Sequence, residues 1–154
     1  MKSTIESKIF TSAAVWTVLG LASGLFYREL TRQLGFTGFT QLAVAHTHAL
    51  TLGMIVLLLV LVLTRVFRLD ADRRLGYFLG FWNGGLAITF GMLVTKGTLQ
   101  VLGSEVANSK ALAGVAGLGH IILTGTLVLL FLVLRRALTA TSGAPAESDA
   151  VTVD

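Results

Sequence analysis

The chain has 154 residues, of which 54% are apolar and 13% are charged, and its formal net charge is +4. Soluble domains carry about 25% charged residues, so this composition excludes an ordinary soluble globular domain. The absence of cysteine excludes disulfides, thiolate metal sites and iron–sulfur clusters. The basic residues stand at the ends of apolar stretches, a pattern typical of membrane topology signals rather than of nucleic-acid binding.

Four long stretches without a charged residue dominate the chain. They contain 19, 32, 21 and 24 residues and are bounded by Lys8 and Arg28, Arg32 and Arg65, Arg74 and Lys96, and Lys110 and Arg135. A bilayer core of roughly 30 Å requires about 20 helical residues, and continuously apolar runs argue against an alternating β-barrel pattern. We therefore predict an all-α membrane protein, a four-transmembrane-helix bundle. The helices are expected at about 8–27, 42–65, 75–96 and 111–135.

The basic residues are divided unequally between the two ends of these helices. Eight fall on one side and four on the other: Lys2, Lys8, Arg65, Arg68, Arg73, Arg74, Arg135 and Arg136 against Arg28, Arg32, Lys96 and Lys110. The positive-inside rule then places both termini in the cytoplasm. We expect a multi-pass protein of a bacterial cytoplasmic membrane, with a transmembrane domain over 1–138.

Two segments are expected to lie outside the helices. The outer loop from Tyr27 to Gln41 is amphipathic and is predicted to lie along the membrane interface. The segment 139–154 is rich in Ser, Ala, Gly and acidic residues, and we predict a disordered tail.

Glycine is frequent within the predicted helices. The first helix carries Gly20 and Gly24, and the third carries Gly76, Gly80 and Gly84 at four-residue spacing. Small residues at this spacing let helices approach closely, and packing is the favoured interpretation for these two helices. In the fourth helix the small residues of 113–119 directly precede a histidine, which gives more weight to a cofactor.

All three histidines of the chain, His46, His48 and His120, fall in or at the predicted membrane spans, where polar groups are costly and usually functional. Counting back from the next arginine at about 1.5 Å per residue puts all three in the outer half, at similar depth. Residues i and i+2 of a helix point about 200° apart, so His46 and His48 cannot both face one core. Gly53 lies on the same helix face as His46, which favours His46 as the residue that faces the bundle core. The depth of His48 is closer to that of His120, which favours His48 instead. Capping of the second helix is an equal alternative for either one.

His120 lies about nine residues into its span, and we expect it to be buried, neutral and in need of a partner. Thr124, Asn83 or another histidine are the candidates. A purely structural hydrogen bond is the alternative to a ligand or proton role.

Three ligands fit these residue types. The first is haem b, held between histidines of the second and fourth helices, with Arg28, Arg32 and Lys96 placed to meet the propionates. Ordinary interfacial charge is the alternative for these cations. The second is copper or zinc bound by His48, His120 and His46, which would require the second helix to unwind at its start. The third is a proton relay of neutral imidazoles.

Several motifs occur in the order seen in one known family. They are Gly-Leu-Phe-Tyr-Arg-Glu at 24–29, Gly-Phe-Thr-Gly at 35–38, His-Thr-His at 46–48 with Leu-Gly at 52–53, and Gly-Val-Ala-Gly-Leu-Gly-His at 114–120. Over residues 8–136 the chain resembles the DUF2871 family of small four-helix bacterial membrane proteins. The resemblance implies four spans and no particular activity.

A weaker likeness is to haem-copper oxidase subunit I and to NnrS-type, nitric-oxide-responsive membrane proteins. It implies haem as the cofactor and makes a symmetric homo-oligomer plausible, by analogy only. The leading hypothesis is therefore a b-type haem protein acting in electron transfer or in sensing or handling a diatomic gas, together with a redox partner. The alternatives are a small transporter or channel with a histidine path for protons or metal, and a structural membrane subunit.

Overall fold

The computed structural model describes residues 4–142, and these fold almost entirely into helices. The helices are α1 (Ile5–Gln33), α2 (Leu42–His48), a π-helix (Ala49–Ile55), α3 (Val56–Phe67), α4 (Arg74–Val101) and α5 (Lys110–Ser142). Short 3-10 turns precede α4 and α5. Because α2, the π-helix and α3 follow one another without a break, they form a single rod, which we call the second span.

The all-α architecture predicted from the charge-free stretches is confirmed. Four helices are long and apolar enough to cross a membrane, namely Ile5–Gln33, Leu42–Phe67, Arg74–Val101 and Lys110–Ala140. Each extends beyond its predicted bounds. The largest differences are at the end of α1, which runs to Gln33, and at the end of α5, which runs to Ser142.

Because α1 extends to Gln33, the first outer loop is shorter than predicted. Residues up to Gln33 continue the helix, supported by the ion pair between Glu29 and Arg32 at 2.9 Å, one turn apart. Only 34–41 remain outside regular helix, so the predicted interfacial loop is shorter than expected. Residues 139–142 are likewise helical rather than disordered, and the rest of the predicted tail, 143–154, lies outside the described residues.

The central element of the bundle is α4. It packs against α5 along much of its length and also contacts α1 and the second span, whereas α5 has little contact with any helix other than α4. The bundle is therefore not closed on every side. We call the end that carries Arg65–Arg74 and the last turns of α5 the arginine-rich end, and the opposite end, which the sequence predicts to face outward, the outer end.

Two tryptophans link the spans inside the bundle. Trp82 of α4 is buried, stacks on Phe78 with ring centroids 5.6 Å apart, and donates its indole N–H to the Leu52 carbonyl of the π-helix at 3.1 Å. Trp16 of α1 donates to Oδ1 of Asn83 at 2.8 Å. Each indole N–H buried in the bundle thus has an acceptor, as a low-dielectric interior requires.

Glycines permit the closest helix contacts. A Cβ at Gly97 would lie 2.0 Å from the backbone nitrogen of Leu42, so α2 and α4 meet backbone to backbone. Gly20 and Gly24 of α1 serve packing, as their spacing predicts, because they lie against Leu50 and His46. The row of α4 formed by Gly76, Gly80 and Gly84 is instead exposed, with no atom within 4 Å of a Cβ added at any of them.

Gly97→Ala should destabilise the fold by about 2 kcal/mol or more, since the added methyl group meets backbone that cannot rotate away. Thermal unfolding in detergent, followed by circular dichroism, measures the effect. Gly84→Ala on the same helix is the matched control, because its Cβ enters open space and alanine has the higher helix propensity. Equal losses of Tm in the two variants would show that the contact at Gly97 is not close.

Asp72 organises the connection before α4. Its carboxylate accepts from Nε and Nη2 of Arg74, at 3.1 and 2.8 Å, and from the Arg74 backbone N–H at 3.0 Å. The side-chain hydrogen bonds from Arg74, then the backbone hydrogen bond, then the positive charges of Arg74 and Arg136, together lower the pKa of Asp72 to about 2. The charged form is therefore favoured in the folded chain.

This pKa has a direct consequence for stability. Because the folded-state pKa lies below the value of about 3.9 for an unfolded chain, the carboxylate stabilises the fold above about pH 4, and that contribution is lost as the pH falls toward 2. Asp72→Asn should cost about 1–2 kcal/mol near neutral pH. The difference in free energy of unfolding between the variant and the parent protein, measured by chemical unfolding in detergent, should disappear between pH 4 and pH 2. A constant gap over that range would contradict the assignment.

Candidate functional site

His46 faces the first helix. Its ring is half-buried, and a Cβ at Gly24 of α1 would lie 3.6 Å from the Cβ of His46. Its Nδ1 is buried and has no hydrogen-bond partner. His46 is therefore the inward residue on the α1 side, as Gly53 on its face suggested.

His48 lies on the opposite flank of α2, about 200° around the helix from His46. It is half-buried, and its Nδ1 donates to the carbonyl oxygen of Val44 at 3.0 Å. Because α2 is regular through His48, the predicted separation of the two histidines onto different faces is confirmed.

His120 departs from expectation, because its side chain is exposed on the bundle surface rather than buried. The residue that faces α4 is the preceding Gly119, where a Cβ would lie 2.5 Å from Oγ1 of Thr89. Only glycine permits this contact, and the next residue is then turned by about 100° toward the rim of the interface. The sequence could not distinguish these two settings, since small residues beside a histidine suit either one.

The predicted partners of His120 are also revised. Its Nδ1 donates to the Ala116 carbonyl at 2.9 Å, and Thr124 donates its hydroxyl to the His120 backbone carbonyl, not to the ring. Asn83 accepts from Trp16 instead. The ring is thus held by its own helix.

His48 and His120 share one tautomer. A carbonyl oxygen only accepts, so the hydrogen bonds to Val44 and Ala116 place the proton on Nδ1 of each ring. In a neutral ring the lone pair is then on Nε2. Metal-ligating histidines are typically fixed in this way, by a hydrogen bond from the other ring nitrogen to a carbonyl or carboxylate.

The order of the helices around α4 shows which flanks face each other. Thr89 meets α5 and serves as the reference direction around the α4 axis. Gly97, which meets α2, is turned from it by about 80° around this axis, and Asn83, which meets α1, by about 120°. The second span therefore contacts α4 between α5 and α1. Because His46 occupies the α1 flank of α2, His48 occupies the flank turned toward α5.

His120 lies on the facing flank of α5. With right-handed, antiparallel helices in this order, the turn of about 100° from Gly119 to His120 is toward the second span. The helices α2 and α5 have little direct contact. We call the space between their facing flanks the α2–α5 cleft, bounded by His48 on α2 and by Ala116 and His120 on α5.

The two imidazoles in this cleft lie at similar depth. Along α4, Leu42 is level with Gly97 and the Leu52 carbonyl with Trp82, so His48 falls between these two levels. Gly119, the neighbour of His120, is level with Thr89, in the same interval. The depth match inferred from distance to the arginines therefore agrees with the helix contacts.

The three predicted cations do not lie together. Arg28 and Arg32 form ion pairs with Glu29 on α1, at 3.6 and 2.9 Å, and belong to a helix that the second span separates from the cleft. Lys96 is turned by about 20° from Thr89 around α4, in the direction away from the second span, so it lies on the α5 side of α4. Among residues 4–142 it has no ion-pair partner.

The described part of the chain offers no ready multidentate metal site. No three His, Asp or Glu side chains in it converge on a position where a metal ion could bind. Since α2 does not unwind between His46 and His48, the conformational change that an all-histidine copper or zinc site requires is absent from this structure.

Two features near the cleft were not anticipated from the sequence. The second span changes to a π-helix directly after His48, and no residue pattern in Ala49–Ile55 predicts this change. Thr89 has a buried hydroxyl without a hydrogen-bond partner, at the contact with Gly119. A threonine in the middle of a span was a weak signal that the sequence could have offered.

The pattern of the DUF2871 family, described as a protein of unknown function, matches residues 6–137. The chain belongs to this family. The match covers all four spans, the three histidines and Lys96, so the α2–α5 cleft lies within the family region. No curated protein and no solved structure matches the chain significantly.

The facing of His48 and His120 can be tested by cross-linking, because the chain has no cysteine. In a His48→Cys, His120→Cys variant, a short thiol-reactive cross-linker should join the two positions within one chain. The His46→Cys, His120→Cys variant is the matched control and should react at least several-fold less, since His46 faces α1. Proteolysis between α2 and α5 followed by gel electrophoresis measures the yield. Equal yields would contradict the assignment of flanks.

Proposed function

We propose that this protein is an integral membrane b-type haem-binding protein in which His48 and His120 are the axial ligands. It would act in electron transfer, with a redox partner, or in sensing or handling a diatomic gas. One observation carries the proposal. Two imidazoles stand at similar depth on facing flanks of the α2–α5 cleft, each with its Nδ1 proton held by a carbonyl and its lone pair on Nε2.

The residues around the cleft fit the group. Histidine nitrogens on two helices are a common ligand set for haem in helical bundles. The α5 wall carries Ala113 one turn before Ala116 and Gly117 one turn before His120, and these small residues leave room for a flat ring. Lys96 has no ion-pair partner among residues 4–142 and is the cation we propose for a propionate, whereas Arg28 and Arg32 are already paired with Glu29 on α1.

The roles of the protein groups follow from these contacts. The Val44 and Ala116 carbonyls orient the two rings and increase the basicity of Nε2. A bound haem would supply one-electron exchange or the binding of a diatomic gas. The apolar flanks of α2 and α5 would exclude water from the ring.

A second candidate function has a separate observation in its favour. The Nδ1 of His46 is buried without a partner, and unsatisfied polar atoms inside a membrane span often mark an ion or proton path. A transporter or channel for protons or metal would use His46 on the α1 side, next to the π-helix, rather than the cleft.

We further propose an orientation in the membrane and an oligomeric state. The excess of basic residues at the arginine-rich end favours both termini in the cytoplasm of a bacterium, with the outer end across the cytoplasmic membrane. A homo-oligomer is also proposed, because the row Gly76, Gly80 and Gly84 faces outward, and small residues suit close contact between helices of two copies.

The test is the absorption spectrum of the full-length protein purified from haem-replete cells. We expect a Soret band of low-spin, two-histidine haem. His48→Ala and His120→Ala should each lower haem content by about tenfold or more, because losing even a group that only orients a metal ligand lowers metal affinity about 10–100-fold. His46→Ala should retain the band and is the matched control. Lys96→Met should weaken retention while leaving the spectrum low-spin, and Arg32→Met should have no effect.

Other outcomes would overturn the proposal. Colourless protein from haem-replete cells would exclude it, and so would a Soret band that persists in the His48→Ala, His120→Ala double variant. Colourless protein that carries a proton or metal flux in liposomes, lost in His46→Ala, would establish the second candidate instead.

A further inference from the structure

A second cavity lies at the arginine-rich end, far from the histidines. It has a volume of about 870 Å³ and is open on one side. Its wall is formed by the end of α3, the connection to α4 and the last turns of α5, and we call it the arginine pocket. The lining residues that matter here are Arg68, Arg73, Arg74, Arg136 and Asp72 on the polar side, and Val66, Phe67, Val133, Ala137 and Ala140 on the apolar side.

The pocket carries a surplus of positive charge. Four arginines and one aspartate line it, an excess of three charges. Both carboxylate oxygens of Asp72 accept hydrogen bonds from the Arg74 guanidinium, and Oδ2 lies 3.9 Å from Nη1 of Arg136. Asp70, outside the lining, faces Arg68 at 3.8 Å. Arg73 has no ion pair with any residue of 4–142, so its guanidinium is available to an outside anion.

The apolar side of the pocket continues onto the outer surface of the bundle. Val66 is 63% exposed, and Phe67 and Ala137 are partly buried beside it. These side chains belong to the last turns of two apolar spans, Leu42–Phe67 and Lys110–Ala140. In a bilayer they stand where the hydrocarbon region meets the headgroups. The pocket therefore offers guanidinium groups and an apolar wall side by side at one depth.

We propose that the arginine pocket binds an anionic phospholipid, with the phosphodiester on Arg73 and Arg136 and an acyl chain along Val66 and Ala137. A guanidinium presents paired N–H donors that match phosphate oxygens. Basic pockets between membrane helices are suited to anionic headgroups. The site does not include the histidines, so a failure of this proposal would not contradict the proposed function, and the reverse is also true.

The experiment uses the full-length protein in a neutral detergent, with bound lipids counted by native mass spectrometry. The probes are phosphatidylglycerol, phosphatidylcholine of the same acyl chains, and inorganic phosphate. We expect phosphatidylglycerol to be retained about tenfold better than phosphatidylcholine, with the preference declining as salt is added. Inorganic phosphate at equal concentration should not displace the lipid, because it lacks the acyl chain.

Charge variants locate the site. Arg73→Gln, Arg136→Gln should lower the preference at least fivefold. Arg28→Gln, Arg32→Gln makes the same charge change at the outer end and should leave it intact. Arg73→Lys, Arg136→Lys keeps the charge and should retain part of the preference, which separates loss of binding from loss of folding.

Three results would overturn the inference. Equal retention of the two lipids would exclude a specific anionic site. Full displacement by inorganic phosphate would make this a site for soluble anions. A preference that emerges only after Glu147→Gln, Asp149→Asn would show that the acidic C-terminal segment occupies the pocket in the intact chain.

Discussion

The backbone contact between α2 and α4 at Gly97 sets the position of everything at the outer end. With no side chain on Gly97, the start of α2 lies directly on α4, and the hydroxyl of Thr40 donates to the Gly97 carbonyl at 2.7 Å. This contact fixes both the depth and the rotation of α2. The direction of His46 toward α1, and of His48 toward α5, follows from it.

The π-helix adapts the second span to its neighbours below that point. Gly53 within it meets Trp16 of α1 so closely that a Cβ would lie 2.3 Å from the tryptophan Cβ. On the other side, Trp82 supplies an N–H to the Leu52 carbonyl. A π-helical stretch is rare and is frequently found at functional sites. Here two tryptophans from different spans hold it, and it begins at the residue after His48.

Much of the architecture could be predicted from the sequence. Charge-free stretches locate membrane helices because a bilayer penalises charge, and the four spans follow from that pattern alone. The separation of His46 from His48 requires only the spacing of the two residues and the geometry of a regular helix. The similar depth of His48 and His120 could likewise be obtained by counting residues to the arginines.

The orientation of α5 could not be predicted. In a membrane protein the lipid-facing surface is as apolar as the core, so the hydrophobic pattern does not show which face of a span is inside. The exposure of His120 therefore depended on whether Gly119 or His120 met Thr89, and both fit the small residues around them. The pairing of Arg28 and Arg32 with Glu29 was similarly hidden, because α1 continues through a segment that resembles a loop.

The limited contact between α2 and α5 has a consequence for how the cleft exchanges its contents. In a bilayer its open side, between two apolar spans, would face the hydrocarbon region rather than either aqueous phase. A hydrated cation would have to shed its water in oil to reach Nε2 of His48 from that side, whereas a planar, lipid-soluble molecule diffuses there within the plane of the bilayer. Lateral partitioning, rather than uptake from solution, then decides which molecules this protein encounters.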